Sequence, residues 1–176
     1  MARRPLRAIV CGLDLSLRGT GVAIVDATTW GLDVTRVRTR RFGEQLPKTA
    51  SPDEKADRLD LIVNAVLVEI VARGVTHVFV EDYSYGMAQG AHQLGELGGT
   101  IRLCLRRAFG HAPTPVNNST ARRFFLGAGA PRKGIKNHVA AVGKAMKLPF
   151  AGDELDAFVV ANYGLSELGF PALSIG

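Results

Sequence analysis

The sequence predicts an α/β domain built on a mixed β-sheet. Three strand-like runs with short turns between them open the chain, at Leu6–Asp14, Gly21–Asp26 and Leu32–Phe42. Two further runs, Val75–Glu81 and Ala112–Val116, each follow a segment with helical spacing. Short turns join antiparallel strands, whereas a helix between two strands implies a parallel crossover. We therefore expect a five-stranded mixed sheet, three antiparallel strands followed by parallel ones, flanked by helices.

Each strand has its own local justification. Leu6–Asp14 is an almost continuous apolar run, as expected of a buried central strand, and Gly19–Gly21 supplies the turn to the second strand. The third run alternates Val and Thr with Arg, which is typical of a more exposed strand. Its basic residues form a strip from Arg36 to Arg41. These side chains either form a basic contact surface or serve solubility or the protection of a sheet edge.

The first helix has a clear start signal. Ser51 is a capping residue, Pro52 suits the first turn, and Glu54 completes a capping box. Apolar residues then recur at helical spacing as far as Gly74. Further helices are expected at Ala88–Phe109, Ser119–Leu126, Ile135–Met146 and Asp153–Leu168.

Length and composition indicate a small basic globular protein. The 176 residues are 47% hydrophobic, and 22 Lys and Arg against 16 Asp and Glu give a net charge of +6. We expect a single domain over residues 1–176, which is too short for a two-lobed actin-like ATPase. The positive charge favours a polyanionic partner.

The sequence predicts a cytoplasmic protein with no membrane partner. Its apolar runs are shorter than the roughly 18 residues that a membrane span needs. The first seven residues carry three Arg and lead directly into a strand, unlike a signal peptide. Cys11 and Cys104 lie in apolar segments without C-x-x-C spacing, as expected of reduced, buried thiols.

Four carboxylates fall at positions that a sheet or helix end exposes. Asp14 ends the first strand and Glu81 the fourth, and sites in α/β folds form at the carboxyl edge of the sheet. Asp153 and Asp156 are three residues apart at a helix start, so they share one face. Singly, each has an ordinary explanation, since acids occur at loop entrances and Asp caps helices. Together, the four can converge on one spot.

Such a cluster predicts a site for hard divalent cations. Crowded carboxylates repel one another, and oxygen ligands without a Cys/His set favour Mg²⁺ or Mn²⁺ over Zn²⁺. Two such ions about 4 Å apart activate water and stabilise the leaving oxygen in phosphodiester hydrolysis. Together with the basic composition, this chemistry predicts a nuclease that uses two Mg²⁺ ions per site, with Mn²⁺ as a substitute.

Three motifs resemble those of the RuvC-type Holliday junction resolvases, in the ribonuclease H-like superfamily. They are Gly12-Leu-Asp14-Leu-Ser16-x-x-x-Thr20-Gly21, Val78-Phe-Val-Glu81 and Asp153-x-x-Asp156-Ala157. Their order and separations also fit, so the resemblance spans Leu6 to about Leu165. It implies a ribonuclease H-like fold, with metal-ligand and catalytic roles for Asp14, Glu81, Asp153 and Asp156.

The resemblance also implies a homodimer that cuts two opposed strands of a four-way DNA junction, in recombination and repair. A branch-migration helicase is a further partner of such enzymes that no residue here specifies. The chain departs from the family in two places. Leu15-Ser16 replaces the usual Pro-Gly after the first acid, as in phage or divergent members. The family's aromatic wedge has no clean match, since the expected place is Ser84, between Tyr83 and Tyr85.

Candidate DNA contacts lie in two segments. Arg132, Lys133 and Lys136 correspond to a basic DNA-contacting region of the family, and such side chains bind backbone phosphates. Tyr83 and Tyr85 either stack on unpaired bases or close the edge of the core.

Three glycines inside the second predicted helix point to close packing. Gly95, Gly98 and Gly99 each cost about 1 kcal/mol of helix propensity relative to Ala, so a packing reason is expected. The neighbour is either the domain's own sheet or the same helix of a second subunit. A two-fold homodimer would match the symmetry of a four-way junction.

Other functions remain compatible with these residues. The same fold can carry a ribonuclease H or another nuclease, because fold does not determine substrate. A junction-binding protein that does not cleave would carry similar acids. A transposase-like strand transferase is disfavoured, because the chain has no target-recognition domain.

Overall fold

The computed structural model describes residues 6–82 and 91–175, in which one sheet is flanked by helices. The elements are β1 (Arg7–Asp14), β2 (Thr20–Thr28), β3 (Gly31–Leu32), β4 (Arg38–Phe42), α1 (Pro52–Ala72), β5 (His77–Glu81), α2 (Ala91–Phe109), β6 (Thr114–Val116), α3 (Asn118–Leu126), α4 (Ile135–Ala145) and α5 (Gly152–Glu167). The predicted start of the second helix, at residues 88–90, lies outside the described residues.

The sheet is mixed, as predicted. Its strands lie in the order β3-β2-β1-β5-β6, and β4 also pairs with β2. β1 and β2 are antiparallel, whereas β1, β5 and β6 are parallel. The predicted fold class, with antiparallel strands followed by parallel ones, is therefore confirmed.

The predicted third strand is divided in two. β3 pairs with the end of β2, where Ala27 lies opposite Leu32, and β4 pairs further back, where Ile24 lies opposite Arg38. The Asp33 carboxylate accepts hydrogen bonds from the backbone N–H and hydroxyl of Thr35, at 2.9 and 2.7 Å, and starts a 3₁₀ turn between them. Within the described ranges the sheet thus has six strands on five positions, because β3 and β4 follow each other along one edge of β2.

Side chains of the central strands alternate between two hydrophobic cores, as the pleat of a strand requires. On one face, Val10 and Phe79 pack with Phe125 of α3 and Phe158 of α5. On the other face, the strands pack against α1 and α2, through a cluster that includes Leu13, Ile24, Ile62, Val80, Leu97 and Ile101. The sheet therefore has α5 on one side and α1 and α2 on the other.

Helix α1 begins as predicted. The backbone N–H of Ser51 donates to the Glu54 carboxylate at 2.7 Å, and the backbone N–H of Glu54 donates to the Ser51 hydroxyl at 3.2 Å. This reciprocal capping box satisfies two donors that the first helical turn leaves without partners.

Both cysteines are free thiols, as the sequence predicts. Cys11 is a buried free thiol and Cys104 a half-buried one.

Over residues 6–82 and 91–175, no helix has the length and apolar character needed to span a bilayer.

Candidate active site

Asp14 and Glu81 end two neighbouring parallel strands. Leu13 of β1 lies opposite Val80 of β5, and the next residue on each strand is one of the two acids. Val10 and Phe79 belong to the core on the α5 side, so the alternation of side chains directs Asp14 and Glu81 to that side as well. The two carboxyl groups share a hydrogen bond.

The same alternation separates Glu81 from the acid that follows it. Asp82 belongs to the opposite face, where its carboxylate lies 3.4 Å from Arg102 of α2. The two acids are adjacent in the chain, so the sequence motif by itself does not distinguish them. In the structure it is Glu81 that shares the α5 side with Asp14.

Two glycines let α5 lie directly against the sheet beside Asp14. A Cβ at Gly12 would overlap the backbone of Ala157 and Ala161, and a Cβ at Gly21 would overlap the carbonyl of Asp153. Gly21 is also the cross-strand partner of Asp14. The absence of both side chains therefore brings the first turn of α5, which carries Asp153 and Asp156, to the carboxyl end of β1.

Burial and neighbouring negative charge act on Asp14. The residue is only 8% exposed. Burial is the largest cause that raises the pKa of Asp14 from 3.8 to about 9, followed by the hydrogen bond and charge of Glu81 and the charge of Asp156. The ammonium of Lys136 acts in the opposite direction. Ionisation of Asp14 is therefore unfavourable without an added cation.

Asp156 is the most deeply buried of the four acids and has two cationic partners. It is 2% exposed. Nε and Nη2 of Arg122, from α3, donate to its Oδ1 at 3.2 and 3.0 Å. Nζ of Lys136, from α4, lies 2.7 Å from its Oδ2, and this contact raises the pKa of Lys136. Three helices therefore meet at one carboxylate.

Asp153 pairs with Arg41 of β4. The guanidinium Nε donates to Asp153 Oδ2 at 2.9 Å, and Nη2 donates to the carbonyl of Arg18 at 3.0 Å. A Cβ at Gly19 would overlap this guanidinium, so Arg41 packs closely over the turn between β1 and β2. Arg41 thus connects β4, that turn and the start of α5.

Sequence reasoning missed the pairing roles of Arg122 and Arg41. Arg122 follows the buried Ala121 and stands three residues before the buried Phe125, so its helical position is next to the packed face of α3. An arginine beside the packed face of a helix is the one sequence feature that could have indicated a partly buried role for Arg122. Arg41 was grouped with the basic strip of the third strand, and no local pattern points to Asp153, 112 positions away.

The donor chemistry of the site fits a hard divalent cation. Asp14, Glu81 and Asp156 offer carboxylate oxygens, and a bound cation would offset the burial and the neighbouring negative charge that raise the pKa of Asp14. Within the two described ranges, no three acidic, His or Cys side chains are positioned to hold one ion together. Asp153 and Asp156 contact Arg and Lys side chains instead. Metal binding by all four acids therefore requires carboxylates to exchange a cationic side chain for the ion.

The predicted DNA contacts lie in different places. Arg132 and Lys133 belong to the segment between α3 and α4, where both are exposed. Lys136 stands in the first turn of α4 and contacts Asp156, so its ammonium group lies at the acidic cluster. Tyr83 and Tyr85 lie outside the described residues. The role of each of these residues in DNA binding stays a prediction.

No protein-family model matches the sequence, and no curated protein sequence matches it either. Solved structures of Holliday junction resolvases share its fold. Thermus thermophilus RuvC is 21% identical with a TM-score of 0.62, over 92% of this chain and 96% of that one. RuvC of the same organism in complex with a Holliday junction substrate is 17% identical, with the same TM-score and coverage.

A viral enzyme shows the same likeness more distantly. Fowlpox virus resolvase, solved with its substrate Holliday junction DNA, is 10% identical with a TM-score of 0.50, over 91% of this chain and 98% of that one. These structures confirm the ribonuclease H-like fold that the three motifs implied. The likeness extends over nearly the whole length of each resolvase.

Proposed function

We propose that this protein is a divalent-metal-dependent endodeoxyribonuclease that resolves four-way DNA junctions. One observation carries the proposal. Asp14, Glu81 and the buried Asp156 converge at the carboxyl ends of β1 and β5, on a fold shared with T. thermophilus RuvC. Carboxylates crowded at that edge lower the stability of the fold, and a role as metal ligands would explain why they are there.

The four acids would hold two Mg²⁺ ions, for which Mn²⁺ would substitute. When bound, such ions supply an activated water and offset the charge that develops on the scissile phosphate. The chain's own cations prepare the site. Arg122 and Lys136 hold the Asp156 carboxylate in place, and Arg41 orients Asp153 at the start of α5.

The DNA partner follows from charge and position. The net charge is +6, and Arg132 and the exposed Lys133 lie in the segment that leads to Lys136 and the acidic cluster. These side chains would bind backbone phosphates of a junction arm. We extend the proposal to Tyr83 and Tyr85 as stacking partners of bases near the cut, and to a homodimer that makes paired cuts in recombination and repair.

A junction-binding protein that does not cleave is the second candidate, and one observation favours it. Asp153 and Asp156 are already neutralised by Arg41, Arg122 and Lys136. Acids paired in this way can support folding without any metal. This candidate predicts binding of the junction with no dependence on Mg²⁺.

A cleavage assay separates the candidates. Labelled four-way junction, linear duplex and RNA–DNA hybrid are each incubated with the protein, with Mg²⁺ or with a chelator. We expect cleavage of the junction only with Mg²⁺. The Asp14→Asn variant should lose more than about 100-fold in rate, since even the partners of metal ligands are worth 10- to 100-fold. Its junction binding should be retained or tighter, because local negative charge is removed.

The control is Asp60→Asn, on the exposed side of α1, where Asp60 accepts a hydrogen bond from Asn64. This variant should cleave like the unmodified protein. Preferential cleavage of the RNA–DNA hybrid would identify a ribonuclease H instead. Tight junction binding with no cleavage under any metal condition would favour the second candidate.

A further inference from the structure

A basic cavity lies beside the segment that follows Asp14, on the side of the sheet that carries α1 and α2. It has a volume of about 560 Å³, is open to solvent on one side, and is bordered by the segment after β1, the segment after β4, the first two turns of α1 and the first turn of α2. Arg18, Lys48, Lys55 and Arg58 line it, and no carboxylate is among its described lining residues. Ser16, two residues after Asp14, lies in its wall. Four cationic side chains without an acid indicate a site for an anion.

Arg58 carries the strongest signal, because it is buried and none of the described residues supplies a counter-charge. The residue is only 8% exposed. Its Nη1 donates to the carbonyl of Glu44 and its Nη2 to Oε1 of Gln93, both at the long distance of 3.4 Å. Its Nε is buried and has no hydrogen-bond partner among the described residues. Among residues 6–82 and 91–175, no carboxylate forms an ion pair with this guanidinium.

A buried charge with weak partners is costly, so a ligand that completes its hydrogen bonds is the simplest compensation. A guanidinium has five N–H donors in a planar fork that matches phosphate oxygens. Arg58 uses two of these donors in long hydrogen bonds. The exposed Lys48 and the half-buried Lys55 line the same cavity. Their ammonium groups could bind the phosphate oxygens that Arg58 does not contact.

We propose that this cavity binds a phosphate group through Arg58, Lys48 and Lys55. The segment from Leu15 to Arg18 lines the cavity and directly follows Asp14. A DNA strand that runs from the acidic site along this segment, around the end of β1, would bring a neighbouring backbone phosphate to the cavity. The phosphate site is independent of the proposed nuclease activity. Its assignment to a DNA strand rests on that proposed function.

The test uses two probes and variants of the full chain. Binding of inorganic pyrophosphate is measured by calorimetry, and binding of a labelled four-way junction is measured with chelator over a series of salt concentrations. The double variant Lys48→Ala/Lys55→Ala removes charge at the mouth of the cavity without changing a fully buried residue. Arg58→Lys keeps the buried charge but removes the fork. Lys144→Ala, exposed on α4 and away from the cavity, is the matched control.

We expect both cavity variants to weaken pyrophosphate binding at least tenfold, and the control to leave it unchanged. For a backbone phosphate, the double variant should also weaken junction binding. The slope of log affinity against log salt should then fall by about one for each phosphate that the variant no longer binds. An effect on pyrophosphate alone supports a free phosphate ligand at the same site.

Two results keep this proposal distinct from the nuclease proposal. If the protein binds no junction but binds pyrophosphate through Arg58 and Lys55, the phosphate site stands and the nuclease proposal fails. If the double variant is folded and binds both probes like the unmodified protein, the phosphate site is overturned. Arg58 then serves only to hold the segment after β4 against α2.

Discussion

Asp14 and Asp156 are both almost fully buried, at 8% and 2% exposure, but their surroundings differ. Asp156 contacts Arg122 and Lys136, so its charge is compensated inside the protein. Asp14 faces the carboxyl group of Glu81 and has a pKa of about 9. At neutral pH, the metal-free protein therefore holds a proton on this pair, and binding of a cation there would release it.

We expect Asp14 to make the metal-free protein less stable as the pH rises. Its pKa in the folded state, about 9, exceeds the ordinary value of 3.8, so the folded state retains the proton to higher pH than the unfolded state. Below about pH 4 both states are protonated, and above it the free energy of unfolding falls until the pH passes the folded pKa. Asp14→Asn should flatten this fall. Urea unfolding with chelator, from about pH 4 to pH 9, measures it.

The Asp60→Asn variant is again the control, and its unfolding free energy should follow that of the unmodified protein over the whole range. Equal pH dependence of the Asp14→Asn variant and the unmodified protein would contradict the pKa assigned to Asp14.

A second prediction at this scale concerns Lys133. Because its side chain is exposed in the segment before α4, Lys133→Ala should leave stability unchanged and weaken junction binding. The salt slope of binding should fall by about one, as expected for one phosphate. Anisotropy measurements over a salt series, with Lys144→Ala for comparison, test this. Identical slopes for both variants would place the DNA elsewhere, for example along the Arg36 to Arg41 strip.

At the scale of elements, the site depends on how closely α5 approaches the sheet. Gly12 and Gly21 face the backbone of α5 at Ala157 and Asp153, with no space for a Cβ. β1 is the central strand of the three that contain Asp14, Gly21 and Glu81. A change in this helix–sheet spacing would therefore move Asp153 and Asp156 away from the two strand-borne acids.

Gly21→Ala should be destabilising and should weaken the site. The added methyl group would overlap the Asp153 carbonyl, and such overpacking typically costs about 1–3 kcal/mol. Gly31→Ala, in β3, is the matched control because no described atom lies within 4 Å of its added Cβ, so its effect should stay within about 0.5 kcal/mol. Urea unfolding gives both values. Equal effects of the two substitutions would mean that α5 can shift without cost.

For the whole molecule, the exposed face of α2 is the feature that a second subunit could cover. Gly95 and Gly99 are exposed, with open space where a Cβ would stand, and Leu103 continues the same stripe at 48% exposure. Gly98 is buried within its own chain. The two exposed glycines give up about 2 kcal/mol of helix propensity relative to Ala, at about 1 kcal/mol each. Packing against the same helix of a second copy would explain this cost.

We expect Gly99→Leu to convert a dimer into a folded monomer. The branched side chain would keep the partner helix away, and a monomer can cut only one strand at a time. Light scattering measures the mass, and a supercoiled cruciform plasmid distinguishes paired cuts, which linearise it, from single cuts, which relax it. Ala141→Leu, exposed on α4, should remain dimeric and linearise the plasmid. A Gly99→Leu protein that does the same would place the interface elsewhere.

Features that depend on neighbouring residues in the chain could be predicted from the sequence. Helical spacing and the Ser51–Glu54 capping box located α1, and apolar runs ending in Asp14 and Glu81 located the central strands. The order of strands and helices was enough to predict the mixed sheet. The acids proposed for the site were predicted in the same way, because strand ends and helix starts are local signals.

The pairings that determine the charge of the site were decided by the tertiary structure. Arg122 pairs with Asp156 across 34 positions and Arg41 with Asp153 across 112, and no local pattern predicts such pairs. The buried Nε of Arg58, which has no partner among the described residues, is visible only once the chain is folded. The sequence by itself determined the order of strands and helices, apart from the division of the third strand, and which acids stand at their ends. Only folding decided which cations meet those acids, because that depends on how α3, α4, α5 and β4 pack around them.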